Sequence, residues 1–383
     1  MIYDVMILGA GASGMMCAAQ LNENSDLNVL VVEGNAVAAK KLKISGGGKC
    51  NITNVNVSPD NYLGDEALIS SVFMQFSKED LLSWLQKRGL TPVIRKEQYY
   101  FCDKSAEQII SILRNASSKS HYVYNQNIKA LEKNEYFELR TDKTSFLAKK
   151  VVIATGAKSF TNLGASEIGL DLARSFQHEI IPFAPALAGL TLQPNDFWIK
   201  ALSGVSFEAK ITVGNKVLEE DLLITHKGLS GPVVLSASLY WSKGSININF
   251  LPQKGLKAYI HNNRKLLSTA LPLPKRFIQA LLEHLNIKDR PCNLYKQEEL
   301  GILEQALQCY ELSPAGTYGF NKAEVCKGGV STQEINSWTL ESNKEESIYF
   351  CGEVLDVTGE LGGYNFQWAF SSATVVAKNI SLT

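Results

Sequence analysis

One local pattern constrains this chain more than any other: Gly9-Ala-Gly11-Ala-Ser-Gly14, placed directly after the apolar run from Ile2 to Leu8. That run is short, contains β-branched residues and stops at Gly9, which reads as a strand. Met15 to Leu21 has helical composition, and Leu27 to Val32 is a second apolar strand. Strand, helix and strand in this order make a βαβ unit and imply a parallel sheet. Within it, Gly9 permits the tight turn, Gly11 lets the backbone approach a pyrophosphate and Gly14 lets helix close on strand. The helix start at Ala12 and Ser13 turns its N–H groups toward the phosphates. Glu33 ends the second strand, 19 residues beyond Gly14, where a carboxylate accepts from the adenosine ribose hydroxyls. An acid there, rather than Arg, argues against a ribose 2′-phosphate and leaves FAD or NAD.

Composition narrows the class. At 383 residues and 45% hydrophobic, the chain has enough apolar sequence for two to three domains with buried cores, which excludes a disordered chain. Lys+Arg and Asp+Glu are equal at 38 each, so no net field draws the whole molecule to phosphate backbones or anionic lipid. No nucleic-acid partner and no membrane are therefore expected, and no run reaches the ~20 apolar residues that span a bilayer. The first residues lack the basic start of a secretion signal. Seven cysteines, odd in number and never spaced C-x-x-C, fit free thiols in a reducing cytoplasm; no metal site is expected.

Further along, Ser77 followed by Glu79 and Asp80 starts a helix running toward Leu90, and residues 127–154 read as short strands. Between Pro182 and Pro252 strand-like runs such as Ala209 to Val213 and Ile246 to Phe250 follow one another without long helices, which reads as a β-rich unit. Residues 255–288 are helix-forming and mostly polar. After Ser347 the opening style returns: a strand, a glycine-rich turn and a helix from about Asn365 to Asn379. The expected division is 1–184 with 325–383 as one discontinuous domain, 185–254 with 301–324 as a β-rich insert and 255–300 as a helical subdomain.

Three more motifs bear on a cofactor. Ala154-Thr155-Gly156 closes a β run, as a strand passing near FAD does. Ser45-Gly46-Gly47-Gly48-Lys49-Cys50-Asn51, preceded by Lys40, Lys41 and Lys43, offers backbone N–H groups and positive charge suited to an anion. It does not match the P-loop, and a mobile surface loop with solvated lysines is the alternative. In the C-terminal segment, Glu353 and Asp356 are placed to meet ribitol hydroxyls, and Gly362, Gly363, Asn365 and Phe366 lead into a helix N-terminus. A helix merely capped by Asn365 after a flexible loop is its plain alternative.

Together GAGASG, KISGGGKCNITN, THKGLSGP and CGEVLDVTGELGGYNFQWAFSSA resemble the bacterial BaiN-type flavoproteins, a family of aminoacetone oxidases and a flavin-dependent reductase of bile-acid intermediates. The resemblance spans essentially the whole chain. It implies an α/β fold: a glutathione-reductase-like, FAD-binding Rossmann domain with an inserted β-barrel-like domain and a small helical subdomain. It carries FAD contacts to the first glycine loop, to Glu33, to the region from Lys41 to Asn51, and to Asp356 and the turn Gly363 to Phe366. By fold analogy the backbone of Ile128 meets the adenine.

No second GxGxxG follows Gly14, so NAD(P)H is expected only as a transient visitor to the flavin. The flavin supplies the chemistry and no protein nucleophile is required. The catalytic candidates are His226, as acid or base, and Tyr364, lining the substrate pocket. Hydrogen-bonding roles within the loop and packing at the flavin edge are their ordinary alternatives. Cys50 and Cys351, with no partner at redox spacing, read as small buried fillers. The expected function is an FAD-dependent oxidoreductase of a small organic substrate: an amine or amino-ketone oxidase, or an NAD(P)H-dependent enone reductase. A tRNA-modifying flavoprotein and a non-catalytic flavin-binding sensor stand as alternatives; salt-dependent RNA binding would favour the former.

Overall fold

The N-terminal apolar run forms β1 (Ile2–Leu8), followed by helix α1 (Ala12–Asn24) and β2 (Val29–Val32). All four residues of β2 are buried, as a strand covered on both faces of a parallel sheet must be. Then come α2 (Lys40–Gly48), β3 (Asn51–Asn54), β4 (Tyr99–Phe101), α3 (Glu107–Ala116), β5 (His121–Val123), β6 (Ile128–Lys133), β7 (Phe137–Thr141) and β8 (Ser145–Ile153). Near the C-terminus the chain returns with β9 (Ile348–Phe350) and α4 (Tyr364–Leu382). This computed structural model describes residues 1–382. Its contacts divide into a unit of Met1–Ala184 with the segment from Val325 onward, and a second of Pro185–Glu324.

The main sheet of the first unit has the order β5-β2-β1-β8-β7-β6, with β9 alongside β8. The pairs β1–β2, β1–β8, β2–β5 and β8–β9 are parallel, and β6, β7 and β8 form an antiparallel meander. Leu8 stands level with Val32 and Ile153, so the turns after these three strands gather at one sheet edge. That edge, at the carboxyl ends of parallel strands, is where open α/β sheets bind ligands.

Helix α1 packs along α4, and both bring small buried residues to the work: Ala18 and Ala19 from one, Ala369, Ala373 and Ala377 from the other. The buried polar side chains of α4 are satisfied. Gln367 accepts from Thr53 Oγ1 at 2.6 Å and donates to Ser371 Oγ, which donates to the Phe76 carbonyl. The expected cap at Ser77 is present, with Asp80 answering from the first turn. The lysine-rich approach to the glycine loop is helical. Residues 40–44 are ordinary helix formers, and regular geometry breaks only at Ser45, Gly46 and Gly47.

In the second unit seven strands pair in an open path from Tyr310–Leu312 through Ile246–Asn249, Ser206–Val213, Lys216–Thr225, Gly228–Ser230 and Leu190–Thr191 to Gly316–Thr317. Residues 313–315 link the two end strands, which gives the sheet its barrel-like course. Phe207, Phe250 and Phe277 meet ring to ring at 4.8 to 5.9 Å in its core. Short helices Leu256–Ile260, Leu267–Ala270 and Lys275–His284 follow. The helix Gln297–Gln308 runs past residue 300, where the β-rich insert was expected to resume: Glu299 accepts from Lys296 N at its start, and buried Leu303, Ala306 and Leu307 hold it down. Pro232 begins the helix Pro232–Tyr240, whose N-cap is Gly231. Among the described residues no helix is long and apolar enough to cross a membrane.

Buried His178 ties the β9 region to the helix Ile168–Ser175. Its Nε2 lies 2.8 Å from Ser342 Oγ, its ring meets Phe350 edge-on at 5.0 Å, and Nδ1 stands 3.4 Å from Glu334 Oε2 without an aligned hydrogen bond. Burial holds the imidazole below its ordinary 6.5, with Glu334 opposing in part. The unfolded chain therefore takes up a proton that the folded chain refuses. Stability is full above about pH 6.5 and falls as the pH drops toward the folded value. Lowering the pH from about 7.5 to about 5.5 should depress the melting temperature more in the wild type than in His178→Gln; parallel slopes would remove His178 as the cause.

Candidate functional site

At the gathered sheet edge the first glycine loop is fixed by close backbone approach. Gly9 sits at φ +106°, where a Cβ would lie 2.6 Å from the Ala154 carbonyl oxygen, and a Cβ on Gly14 would lie 1.9 Å from that of Gly9. A Cβ on Gly11 would meet no atom within 4 Å. Gly9 and Gly14 thus serve packing, and Gly11 serves approach from outside. Helix α1 has no side-chain cap and no acid in its first turn; its ladder starts with Met15 N donating to Gly11 O at 3.0 Å. The N–H groups of Ala12, Ser13 and Gly14 lie outside that ladder at the positive end of the helix dipole. Such a helix start is chemically suited to an anion such as phosphate. The Ser13 hydroxyl turns the other way, to the thiol of Cys351.

Glu33, only 9% exposed, organises the neighbouring corner. Its Oε2 accepts from Ala10 N at 2.7 Å, and its Oε1 from Asn35 N and Nδ2 at 2.8 and 2.9 Å. Three of a carboxylate's roughly four acceptor positions are filled, so a ribose diol meets one open position on a rigidly held anion. Gln126 N donates to the Glu33 carbonyl at 3.0 Å, which brings the chain leading to Ile128 alongside.

The second glycine loop divides its labour in the same way. A Cβ on Gly46 would lie 2.9 Å from both Asn51 N and the Phe101 ring, whereas Gly47 and Gly48, also at positive φ, face no atom within 4 Å. The lysines before it are largely spent inside the protein. Lys41 Nζ donates to Glu353 Oε2 at 2.8 Å and to Ser159 Oγ at 2.5 Å, and Lys40 Nζ to Asn35 Oδ1 at 2.6 Å. Lys43 is exposed, and Lys49 is half-buried. The stretch is thus a brace between motifs more than a basic patch.

Cys50 has a partner that its spacing in the sequence hid. Strands β3 and β4 pair Asn51 with Phe101, which sets Cys50 opposite Cys102; Cys102 N donates to Cys50 O and Lys49 O, and the two thiols are hydrogen-bonded. Burial pushes the Cys50 thiol up, while the Cys50 hydrogen bond and the Ile109 N–H pull Cys102 down. Only the strand pairing reveals this contact between residues so far apart in the chain.

The C-terminal motif closes the site. Gly352 N donates to Ser372 Oγ at 2.9 Å, and the Gly352 carbonyl accepts from Trp368 Nε1 at 3.1 Å. Glu353 is already engaged by Lys41 and by Cys326 N. Asp356 is the freer acid: burial raises its carboxyl, and the Gly328 N–H opposes this in part. A Cβ on Gly363 would lie 2.7 Å from Thr53 O, and Asn54 Nδ2 donates to Gly362 O, so the glycine pair lies on β3. Asn365 clasps both N and O of Gly359, and Phe366 stacks on Phe370. Tyr364 is buried, with its carbonyl held by Tyr62 Oη at 2.8 Å. Thr155 Oγ1 is buried without a partner, turned toward Gly169. His226 belongs to the second unit, exposed in the turn between Lys216–Thr225 and Gly228–Ser230; Thr225 Oγ1, not His226, accepts the hydrogen bonds that fix that turn.

Outward N–H groups at a helix start, two open glycine surfaces, a fixed acid at the second strand and a freer half-buried acid fit a dinucleotide such as FAD. The chain is 36% identical to the ribosomal RNA dihydrouridine synthase of Escherichia coli, over 99% of this chain and 98% of that one. It is 31% identical to the 3-dehydro-bile acid delta(4,6)-reductase of Clostridium scindens, over 97% of both, which agrees with the BaiN-type resemblance. Among solved structures an open flavocytochrome c3 fumarate reductase matches with a TM-score of 0.50 at 15% identity, over 100% of this chain and 78% of that one, a likeness of fold. With a relative named for ribosomal RNA, the expectation of no nucleic-acid partner is not supported. The HI0933-like protein Rossmann domain model matches residues 3–379, and the chain belongs to that family of flavoproteins.

Proposed function

We propose that the protein is an FAD-dependent reductase that adds hydrogen across a carbon–carbon double bond conjugated to a carbonyl, acting on uracil in ribosomal RNA. The observation that supports this is what two near full-length relatives have in common: one is named a ribosomal RNA dihydrouridine synthase, the other a 3-dehydro-bile acid delta(4,6)-reductase. Dihydrouridine is uridine with its C5–C6 bond saturated, a bond conjugated to the C4 carbonyl. A double bond at position 4 beside a 3-keto group is conjugated in the same way. One chemistry covers both names, and it is reduction, not amine oxidation. RNA is the preferred substrate because the relatives so named are 36% and 35% identical, against 31%.

In this reading the first turn of α1 holds the phosphates, Glu33 the adenosine ribose and Asp356 a hydroxyl of the ribitol. FAD held by these residues would supply the hydride chemistry, with NAD(P)H as its expected reductant. The protein must then deliver a proton to the carbon beside the carbonyl. Tyr364 suits this role: burial pushes its phenol up to about 12, so it stays protonated at neutral pH. None of the described residues is recorded as hydrogen-bonding to its Oη. His226 is exposed, and none of the described residues is recorded as hydrogen-bonding to its ring, which weakens its case.

Anaerobic holoenzyme should be bleached by NADH or NADPH, and ribosomal RNA should then reoxidise it with formation of dihydrouridine, detected by mass spectrometry of the digested RNA. Reoxidation by simple enones but not by RNA would overturn the substrate. Tyr364→Phe should lower kcat by about 100-fold or more with FAD still bound; a rate within a few-fold of wild type would free Tyr364 from the proton transfer. Glu33→Ala should weaken FAD binding by about tenfold or more, the worth of a hydrogen bond to a charged acceptor, and unchanged affinity would refute its ribose contact.

A further inference from the structure

The chain's zero net charge conceals a basic segment in the second unit. Residues 254–296 carry nine Lys and Arg against only Glu283 and Asp289, a surplus of seven. Little of this charge is neutralised locally. Lys257 pairs with Glu304 and Arg290 with Glu299, but Lys254, Arg264, Lys265, Lys275 and Lys288 are exposed and, among the described residues, have no recorded ion-pair partner. Asp289 is occupied by Ser268, whose N and Oγ both donate to it. The balanced total thus hides a local surplus, which lies in the helical part of the insert.

Backbone pairing concentrates these residues. An antiparallel bridge joins Leu266 to Pro291, with Leu267 N donating to Arg290 O at 3.2 Å and Cys292 N to Lys265 O at 3.0 Å. The antiparallel register sets Lys265 and Arg264 across from Cys292 and Asn293, with Arg290 and Lys288 further along the same facing segment. Nearby, the helix Lys275–His284 buries Phe277, Ile278, Leu281 and Leu282 and begins with exposed Lys275 and Arg276, uncapped and without an acid in its first turn. Cations at that end sit against the positive pole of the helix dipole, an arrangement that folding alone does not favour and that a bound polyanion relieves.

We propose that this basic face of the insert docks the phosphate backbone of the RNA substrate, a site separate from the flavin-binding residues. The inference rests on the reading of ribosomal RNA as substrate. Concentrated, unneutralised Lys and Arg on one surface are the electrostatic footprint of nucleic-acid binding, which positions the partner without reading its sequence.

The test uses holoenzyme, transcribed ribosomal RNA and a salt series, with a variant carrying Arg264→Glu, Lys265→Glu, Lys275→Glu and Lys288→Glu. The variant should bind RNA about tenfold or more weakly at moderate salt. Its plot of log affinity against log salt should be shallower by about 0.7 to 0.9 for each phosphate that the protein no longer neutralises. Its flavin absorbance and its reduction of a small enone should match wild type. Reversing the exposed Lys104 and Lys143 of the first unit should leave the slope unchanged. Wild-type affinity and slope in the four-site variant, or an equal weakening in the Lys104 and Lys143 variant, would overturn the docking surface while leaving the reductase reading intact. Wild-type enzyme that reduces the enone but neither binds nor modifies RNA would overturn the substrate reading and this surface together.

Discussion

The approach of the first turn of α1 to the ends of β1 and β8 is the contact on which the rest of the flavin-binding unit depends. Gly14 stands where a Cβ would be 1.9 Å from the Gly9 carbonyl, and Gly9 where one would be 2.6 Å from that of Ala154. With side chains absent at both places, the helix start is drawn into the sheet edge and three N–H groups are left facing outward. The same closeness lets Ala10 N reach Glu33 and the Ser13 hydroxyl reach Cys351. A rigid frame therefore precedes any ligand, and preorganisation of this kind is what makes dinucleotide sites strong.

Much of this was legible in the sequence because the signals were local. A strand, GAGASG and an acid at Glu33 lie within the first 33 residues, and each has a meaning that spacing alone carries. The capping pair at Ser77 and Asp80, the strands Ala209 to Val213 and Ile246 to Phe250, and the long final helix were readable for the same reason. What failed to show were relations between distant positions. That Lys41 is held by Glu353, leaving Asp356 the freer acid, depends on a contact across 312 residues. Cys102 as the neighbour of Cys50 depends on the pairing of β3 with β4. Helix at 40–44 was obscured by the glycines that follow, which drew attention away from five helix-forming residues.

Charge gave the most misleading summary. A balanced total is an average, and averaging over two units erased a surplus of seven in residues 254–296. The lysines that catch the eye in the sequence, next to a glycine loop, are those the structure partly consumes. Those spread through a polar helical stretch, with no motif to mark them, remain largely exposed. Position in the fold, more than density in the sequence, decides which charges a partner meets.

The flavin-binding unit is built from both ends of the chain, with a complete second unit between them, and this fixes an order of assembly. A growing chain emerges from its N-terminus, and domains tend to fold as they become complete. Residues 185–324 are contiguous and hold their own core, so that unit can close while synthesis continues. The first unit has to wait for α4, which supplies Gln367 to Thr53, Trp368 and Ser372 to Gly352, and the partner that covers α1. The part of the molecule that is begun first is finished last, and its nascent sheet stands uncovered on the α4 side until the final helix has left the ribosome.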